Sequence, residues 1–418
     1  MRRYESYKDS GVEWLGEIPS HWESFPLFVQ AKISSITNHI DKELLSVYLD
    51  RGVVKFSDVD EKRTNVTSLD LSKYQLVRKG NLVLNNQQAW RGSVGISNYE
   101  GIVSPAYLIL ELSNKFDPHY ANYLFRNGSM VSHYLIASKG VGTIQRNLYW
   151  GNLRRTPIFI PPLSEQQKIA QFLDDKTAKI DQAVDLAEKQ IALLKEHKQI
   201  LIQNAVTRGL TPDVPLKDSG VKWIGQVPEH WEVKKLKFVL TLSNKKEESK
   251  NSNKRYIGME NIESFTGKIN DIPLIAEGIA NSFYKDEILF GKLRPYLAKS
   301  YLADFDGICS TEFLVYRSTK VLNNRFALNI FLSYGFINAI NASTYGSKMP
   351  RANAEFISNM FLAIPPLSEQ KQIINYLDIQ TAKIDQAIAL KTAHIEKLKE
   401  YKSVLINDVV TGKVRVSV

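Results

Sequence analysis

The chain of 418 residues contains a single cysteine, Cys309. One cysteine can form neither an internal disulfide framework nor a zinc ribbon, and such low cysteine use is typical of a reducing cytoplasm. No apolar run approaches the roughly 18 residues that a membrane helix needs. The first residues, MRRYESYKDS, lack the apolar segment of a signal peptide. We therefore expect a cytoplasmic protein with no membrane association.

Motifs of common catalytic sites are also missing. The sequence has no phosphate-binding loop of the form GxxxxGKS or GxxxxGKT, and both Pro-Pro pairs follow isoleucine, at Ile160 and Ile364, unlike the Asn-Pro-Pro-Tyr type tetrapeptide of amino-methyltransferases. The segment Gly140-Val141-Gly142 is too short for a dinucleotide fingerprint, and Glu196-His197-Lys198 lacks the third acid of a nuclease site. We expect no catalytic residues, no metal site and no cofactor in this chain.

One long stretch occurs twice. SEQQKIAQFLDDKTAKIDQA begins at Ser164 and SEQKQIINYLDIQTAKIDQA begins at Ser368, with TAKIDQA identical at 177–183 and 381–387. The offset is 204 residues. A fixed internal offset identifies the structural unit that has been duplicated.

The spacing within each copy predicts a long helix. Selected positions alternate by four and three, the period of a helix that presents one seam to another helix. These seam positions are Leu173, Thr177, Ile180, Val184, Ala187, Ile191, Leu194, Lys198, Leu201 and Ala205, and in the second copy Leu377, Thr381, Ile384, Ile388, Lys391, Ile395, Leu398, Lys402, Leu405 and Val409. The two helices are expected to pack antiparallel on one another.

The ends of these helices carry their own signals. Ser164 and Ser368 are predicted N-caps after the Pro-Pro pairs, and Gly209 and Gly412 are predicted to end the helices. About 45 residues at roughly 1.5 Å each would span about 65 to 70 Å. The sequence leaves open whether each helix is interrupted, near Asp174 to Lys176 in the first and near Asp378 in the second.

A second repeat precedes each lobe. KDSGVEWLGEIPSHWE at 8–23 returns as KDSGVKWIGQVPEHWE at 217–232, and we call these two segments the clips. They hold two equivalent tryptophan pairs, Trp14 with Trp22 and Trp223 with Trp231. Aromatic residues so spaced could stack on bases, but the interpretation we favour is a structural anchor for each lobe. His21 and His230 have no neighbouring ligand set, so we interpret them as packing or hydrogen-bonding residues.

Two divergent lobes lie between the clips and the helices. Residues 80–110 correspond faintly to 286–316, with Gly101 and Gly307 at an offset of 206. Short β-branched and aromatic runs such as LVLN, YLILEL, EILF and EFLVYR predict strands. Helical spacing occurs in HYANYLFRNGSMVSHYL and in RFALNIFLSYGFINAI. We predict an α+β fold, with two globular mixed α/β lobes, two long antiparallel helices and a pseudo-two-fold internal repeat. The predicted segments are 1–163 (lobe one), 164–210 (first helix), 211–366 (lobe two) and 367–418 (second helix and tail).

The net charge of +10 is unevenly distributed. Lys and Arg exceed Asp and Glu by four in each lobe and by two in 367–418, whereas the charges balance in 164–210. Basic lobes beside a neutral first helix favour nucleic acid on the lobes and protein on the helices.

These motifs together resemble one known family. Two divergent lobes, each ending in PPLSEQ and a near-identical long helix, the repeated DSGVxWxGxxPxHWE clip, and YIGMENI at 256–262 with GKLRPYLAK at 291–299 resemble the specificity (S, or HsdS) subunit of Type I restriction-modification systems over the whole chain. The resemblance implies that each lobe is a target-recognition domain reading half of a bipartite, asymmetric site in double-stranded DNA. It further implies that the helices separate the lobes and carry two methylation (M) subunits, which hold S-adenosylmethionine and modify adenine. The resemblance also implies motor-endonuclease (R) subunits that complete the complex, and a role for this chain as its non-catalytic recognition subunit.

Candidate DNA-contacting residues lie in loops between strands and just before the terminal strand of each lobe. Arg, Lys, Gln and Asn supply base-edge and phosphate contacts, and only base-edge contacts specify sequence. The candidates are Asn86, Gln87, Gln88, Arg91, Thr143, Gln145 and Arg146 in lobe one, and Lys292, Arg294, Lys299, Ser347, Lys348 and Arg351 in lobe two. For Lys292 and Arg294, phosphate contact or a framework role is favoured over base reading. We hypothesise that Arg146→Ala or Arg351→Ala weakens specific DNA binding by roughly 1–3 kcal/mol.

Two other interpretations remain open. The chain could be a coiled-coil scaffold whose lobes bind proteins, in which case DNA affinity would be absent or insensitive to sequence. It could also be a self-contained nuclease or methyltransferase with an unrecognised site, in which case the isolated chain would be active with metal or S-adenosylmethionine.

Overall fold

The computed structural model describes residues 2–13, 15–59, 70–140, 146–344 and 348–416. Internal contacts divide the chain into two compact units. The first unit comprises Met1–Leu186 and Ala393–Val418, and the second comprises Ala187–Thr392. Both divisions fall inside long helices, so each unit contains one lobe and a part of each helix.

The first unit is built from short strands and helices around one central sheet. Its strands are β1 (Tyr7–Asp9), β2 (Glu17–Pro19), β3 (Glu23–Pro26), β4 (Ala31–Ser34), β5 (Leu45–Tyr48), β6 (Gly52–Lys55), β7 (Gln75–Val77), β8 (Leu82–Asn85), β9 (Val94–Ile96), β10 (Gly101–Val103), β11 (Tyr107–Leu112), β12 (Ser138–Lys139), β13 (Asn147–Leu148) and β14 (Pro157–Ile160). Its helices are α1 (Leu27–Gln30), α2 (Pro118–Arg126), α3 (Gly128–Ile136), α4 (Trp150–Leu153) and the start of α5 (Leu163–Arg208). The central sheet is antiparallel with the order β4-β11-β8-β9.

Alternation along the central strands explains why this sheet is buried on both faces. Leu82, Leu84 and Leu110 belong to the main apolar cluster of the unit, whereas Val83 and Ile109 belong to a second cluster. Successive side chains of a strand point to opposite faces. The apolar runs LVLN and YLILEL therefore fill two cores at once.

The predicted helical segment after β11 forms two helices rather than one. Asp117 accepts a hydrogen bond from the amide of Tyr120 and caps α2, which begins with Pro118. Asn127 accepts from the amide of Met130 and caps α3. A polar cap with extended backbone between two apolar stretches both ends one helix and starts the next.

The second unit repeats this plan with a larger mixed sheet. Its strands are β15 (Leu216–Asp218), β16 (Gln226–Pro228), β17 (Glu232–Lys235), β18 (Leu240–Ser243), β19 (Lys246–Glu248), β20 (Tyr256–Ile257), β21 (Ile279–Phe283), β22 (Ile288–Gly291), β23 (Ser300–Leu302), β24 (Gly307–Cys309), β25 (Phe313–Ser318) and β26 (Phe361–Ile364). Its helices are α6 (Asn324–Leu332), α7 (Tyr334–Asn341), α8 (Ala354–Asn359) and the start of α9 (Leu367–Val410). One sheet has the order β18-β25-β22-β23, and the other, β19-β21-β24-β20, contains the parallel pair β20 and β24.

The faint sequence correspondence between the lobes is a structural repeat. At the offset of 206 residues, β8, β9, β10 and β11 fall on β22, β23, β24 and β25, and all four pairs begin and end at matching residues. The central sheets have the same strand order. The predicted α+β fold with an internal repeat is confirmed.

The long helices are unbroken, which answers the question that the sequence left open. Helix α5 continues through Asp174 to Lys176, and α9 continues through Asp378. The predicted N-caps are wrong by two residues, because the carbonyl of Pro162 accepts the amides of Glu165 and Gln166 and the helix already includes Leu163. Likewise α9 begins at Leu367, so Ser368 lies within its first turn.

Within each unit the parts of the two helices run antiparallel along the predicted seam. The polar seam residues find partners there: Lys402 Nζ lies 2.7 Å from Asp181 Oδ1 in the first unit, and Lys198 Nζ lies 2.7 Å from Asp385 Oδ1 in the second. The apolar seam residues are buried or half-buried throughout both helices. The four-three spacing therefore predicted the contact face correctly.

Candidate nucleic-acid and helix surfaces

Each clip joins the start of one long helix to the end of the other within its own unit. Trp22 and Trp231 are each only 1% exposed. Trp22 donates to Glu165 in the first turn of α5, and Trp231 donates to Glu369 in the first turn of α9. A Cβ on Gly412 would lie 3.2 Å from Trp22, as would one on Gly209 from Trp231, so both helix ends need glycine for this approach.

The clip histidines share the same two carboxylates. His21 Nε2 lies 2.7 Å from Glu165, and His230 Nε2 lies 2.9 Å from Glu369. In the first unit the Tyr4 hydroxyl also donates to Glu165, and burial together with that carboxylate raises the pKa of Tyr4 well above its ordinary value. These contacts confirm Trp22 and Trp231 as structural anchors and His21 and His230 as hydrogen-bonding residues. Trp14 lies outside the described residues.

The first candidate loop of lobe one, residues 86–91, follows β8. It folds back because Gln88 N donates to Asn85 O, and a 3₁₀ turn over Ala89–Arg91 ends on Gly92, whose φ is +105°. Ala89 is fully buried and holds the turn on the core, whereas Gln87 and Arg91 are exposed. The backbone thus presents polar side chains from a rigid turn.

Trp90 is the centre of this loop. Its Nε1 donates to Gln87 O at 2.9 Å, and the ring is half-buried. The guanidinium of Arg91 lies 4.7 Å from the ring centroid and that of Arg146 lies 5.9 Å from it. Three sequence-predicted candidates, Gln87, Arg91 and Arg146, therefore gather around a residue that sequence reasoning missed. A tryptophan inside the polar run QQAWRG was the signal that could have found it.

The loop 86–91 is tied to the segment that carries Arg146. Leu148 N donates to Asn86 O at 2.9 Å, which brings β13 beside the loop. Asn86 Oδ1 is buried without a hydrogen-bond donor among the residues that the structure describes. Thr143 and Gln145, which precede Arg146, lie outside those residues.

Lobe two builds the same loop at residues 292–297. A 3₁₀ turn again covers Pro295–Leu297. Its hydrogen bonds, Leu297 N to Arg294 O and Ala298 N to Pro295 O, match Arg91 N to Gln88 O and Gly92 N to Ala89 O at the offset of 206. Ala352 N donates to Lys292 O at 2.9 Å, the counterpart of the bond from Leu148 to Asn86. The two candidate sets thus occupy equivalent places in the two lobes.

The side chains on this second loop have local partners. Arg351 pairs with Glu312 through two nitrogens at 3.2 and 3.0 Å, and Lys299 Nζ donates to Met259 O at 2.6 Å. Arg294 has a left-handed backbone with φ +50°, and its amide donates to Pro350 O. These contacts make Arg351 and Lys299 anchors of the loop. Their role in DNA contact stays a prediction.

Three candidates remain, two in lobe two and one in lobe one. Lys348 is exposed beside this surface. Ser347 lies outside the described residues. In lobe one, Gln88 is half-buried at the start of the 3₁₀ turn and its carbonyl accepts the amide of Arg91.

Outside the seam, helices α5 and α9 carry exposed apolar residues. On α5, Leu186, Leu193 and Ile200 are 58%, 63% and 49% exposed and recur every seven residues. On α9, Leu390 and Val404 hold the positions equivalent to residues 186 and 200 and are 65% and 50% exposed. Residues seven apart share one face of a helix, so α5 presents three exposed apolar residues on one face, and α9 presents two on the equivalent face with Lys397 between them.

Within the described ranges, no group of three or more His, Cys, Asp or Glu side chains is arranged to hold a metal ion. No helix in those ranges is long and apolar enough to span a bilayer.

Comparison with known proteins gives a match across both lobes. A family model described as the Type I restriction modification DNA specificity domain matches residues 32–195 and 228–400. The MjaX specificity subunit assigned to a type I restriction enzyme of Methanocaldococcus jannaschii is 25% identical over 96% of this chain and 96% of its own length. The specificity subunit of the EcoDI type I restriction enzyme of Escherichia coli is 23% identical over 90% of this chain and 86% of its own.

Two solved structures share the fold. A chain from a study of complex assembly and conformational transition of the type I R-M system superimposes with a TM-score of 0.70 at 15% identity, covering 95% of this chain and 99% of the other. The HsdS subunit of Thermoanaerobacter tengcongensis superimposes with a TM-score of 0.55 at 15% identity, covering 95% and 98%.

Proposed function

Because this chain belongs to the family of Type I restriction-modification DNA specificity domains, we propose that its two lobes read the two halves of a bipartite, asymmetric target in double-stranded DNA. As a specificity subunit of a Type I system, the chain is a non-catalytic DNA-recognition component. Each lobe applies its loop pair to one half-site, residues 86–91 with the Arg146 segment in lobe one and residues 292–297 with the 348–351 segment in lobe two.

One observation carries this proposal: at these loops the two lobes share a 3₁₀ turn at equivalent positions and several of its hydrogen bonds but not the side chains. Equivalent positions carry Asn86 and Lys292, Gln88 and Arg294, and Trp90 and Tyr296. Three supporting hydrogen bonds recur in both lobes, those donated by the amides of Arg91, Gly92 and Leu148 in lobe one and of Leu297, Ala298 and Ala352 in lobe two, whereas the amides of Gln88 and Arg294 have different acceptors. A conserved frame with different base-contacting groups suits two readers of unlike sequences, since base-edge contacts specify sequence whereas backbone contacts position the protein.

The long helices serve the other function, assembly with catalytic partners. Unbroken helices fix the number of base pairs between the two half-sites. The exposed apolar residues of the helices dock methylation subunits. The duplication supplies corresponding exposed apolar residues on both helices, Leu186 with Ile200 and Leu390 with Val404, and therefore two docking positions. S-adenosylmethionine is held by those methylation subunits, which modify adenine, and motor-endonuclease subunits complete the complex. Exposed apolar residues on the helices make the free chain poorly soluble without its partner.

The test is to express the chain with its neighbouring methylation subunit and to sequence methylated DNA at single-molecule resolution. We expect methyladenine in two short, unlike half-sites separated by a fixed gap. Substitutions confined to residues 86–91 should alter one half-site only, and substitutions confined to 292–297, the matched control, should alter the other. An assembled complex that produces no new methylation would refute the proposal and favour a scaffold whose lobes bind proteins.

A further inference from the structure

The cluster of Trp90, Arg91 and Arg146 differs from the arginine that the second loop pair holds at Arg351. Among the described residues, neither arginine is paired with a carboxylate, whereas Arg351 in lobe two is held by Glu312. The two guanidinium groups lie instead within 6 Å of the Trp90 ring. They keep their charge and their hydrogen-bonding edges without an acidic competitor.

A guanidinium held beside an aromatic ring is preorganised to bind a planar acceptor edge. Cation–π attraction limits the rotamers of the arginine, and the N–H groups at its edge remain free to donate. Less conformational entropy is then lost when a ligand binds. The ligand edge that best fits a planar pair of donors on DNA is the O6 and N7 pair of guanine, which arginine contacts in a bidentate manner.

Trp90 itself is held in place and does not supply the contact. Its Nε1 is committed to Gln87 O at 2.9 Å, the ring is half-buried, and the preceding Ala89 is locked in the core. A ring tied at its polar edge and flanked by guanidinium groups is a support for those groups rather than a platform for an unstacked base.

We propose that Trp90 is a positioning residue that prearranges Arg91 and Arg146, and that the half-site read by lobe one contains a guanine recognised by Arg91. This inference rests on the proposed function, because it requires lobe one to read DNA. Lobe two provides the contrast. At the positions equivalent to Trp90 and Arg91 it carries Tyr296, which is 44% exposed, and Leu297, which has no donor. Lobe two therefore reads no guanine from this position.

The experiment measures base preference rather than activity alone. The complex of this chain with its methylation subunit is given a DNA library randomised across both half-sites, and the methylated products are sequenced. The variants are Arg91→Ala, Trp90→Leu and Trp90→Phe, with Tyr296→Leu as the matched control in lobe two. An unchanged base preference at the half-site read by lobe two reports that each variant has folded and assembled.

The expected result is a guanine preference in one half-site that Arg91→Ala lowers by about 10-fold to 100-fold. Trp90→Leu should lower the same preference in part, and Trp90→Phe, which keeps a ring for the guanidinium groups, should retain it. Tyr296→Leu should leave this preference unchanged.

Two results would overturn the inference while leaving the proposed function intact. One is a wild-type preference without guanine at any position sensitive to Arg91. The other is a Trp90→Leu variant that methylates all lobe-one targets more slowly with the same base preference, since that outcome would make Trp90 a purely structural residue. A wild-type complex that assembles without methylating DNA would refute the proposed function, and this inference with it.

Discussion

The seam lysines Lys198 and Lys402 are a matched pair for testing how burial sets the strength of an ion pair. They are equivalent positions of the internal repeat, and each binds the aspartate of the TAKIDQA sequence on the opposite helix at 2.7 Å. Their surroundings differ. The side chains of Lys198 and Asp385 are 12% and 34% exposed, whereas those of Lys402 and Asp181 are 32% and 57% exposed.

The expected free-energy losses follow from these exposures. Breaking a fully buried ion pair costs about 3 to 5 kcal/mol, because one charge is left unpaired, and an exposed pair contributes at most about 1 kcal/mol. Lys198→Met keeps the aliphatic stem and removes the charge, and Lys268 Nζ, 3.8 Å from Asp385, partly compensates. We expect a loss of about 2 kcal/mol for Lys198→Met and about 0.5 kcal/mol for Lys402→Met.

Hydrogen exchange measured by mass spectrometry on α5 and α9 peptides suits this test, since it reports local opening in a chain with two units that need not unfold together. Replacing both partners, as Lys198→Met with Asp385→Leu, should recover most of the loss because no unpaired charge remains. Equal losses for Lys198→Met and Lys402→Met, or a larger loss for Lys402→Met, would refute the reasoning that burial decides the strength of these pairs.

Three further predictions concern lobe two. Glu312→Gln should weaken binding to the target by about 1 to 3 kcal/mol, to a similar extent as Arg351→Ala, because the loop loses the same anchor in both variants. DNA binding of the assembled complex measures this. If only Arg351→Ala weakened binding, its guanidinium would instead be a direct DNA contact. Burial raises the pKa of the Cys309 thiol to about 12, so iodoacetamide at pH 8 should label it only after denaturation in urea, and native labelling at the rate of a free thiol would contradict its burial. The hydrogen bond from Lys254 lowers the pKa of Glu247 from 4.5 to about 2. Since the unfolded chain then takes up a proton that the folded chain does not, this contribution to stability is complete above pH 4.5 and is lost as the pH falls toward 2. Thermal unfolding should accordingly depend less on pH in this window for Glu247→Gln than for the wild type, and identical slopes would refute the assignment.

The parts of the structure predicted correctly from sequence are those with a local period or a repeat. The four-three spacing identified the contact face of both helices, and the offset of 206 in the sequence aligned β8 with β22 and β11 with β25. The N-caps were wrong because the preceding proline carbonyls, rather than Ser164 and Ser368, receive the first helical amides. A side-chain preference cannot reveal which backbone group takes that place.

The sequence by itself determined the duplication, the seam of the helices and the α+β class, because repeats and periodicity are written in the order of the residues. Only the tertiary structure decided which side chains meet. It joined Arg351, a predicted DNA contact, to Glu312, 39 residues earlier. It also brought Arg146 to Trp90 across more than fifty residues. Such pairs depend on how the strands return to one another in space, and spacing along the chain carries no record of that.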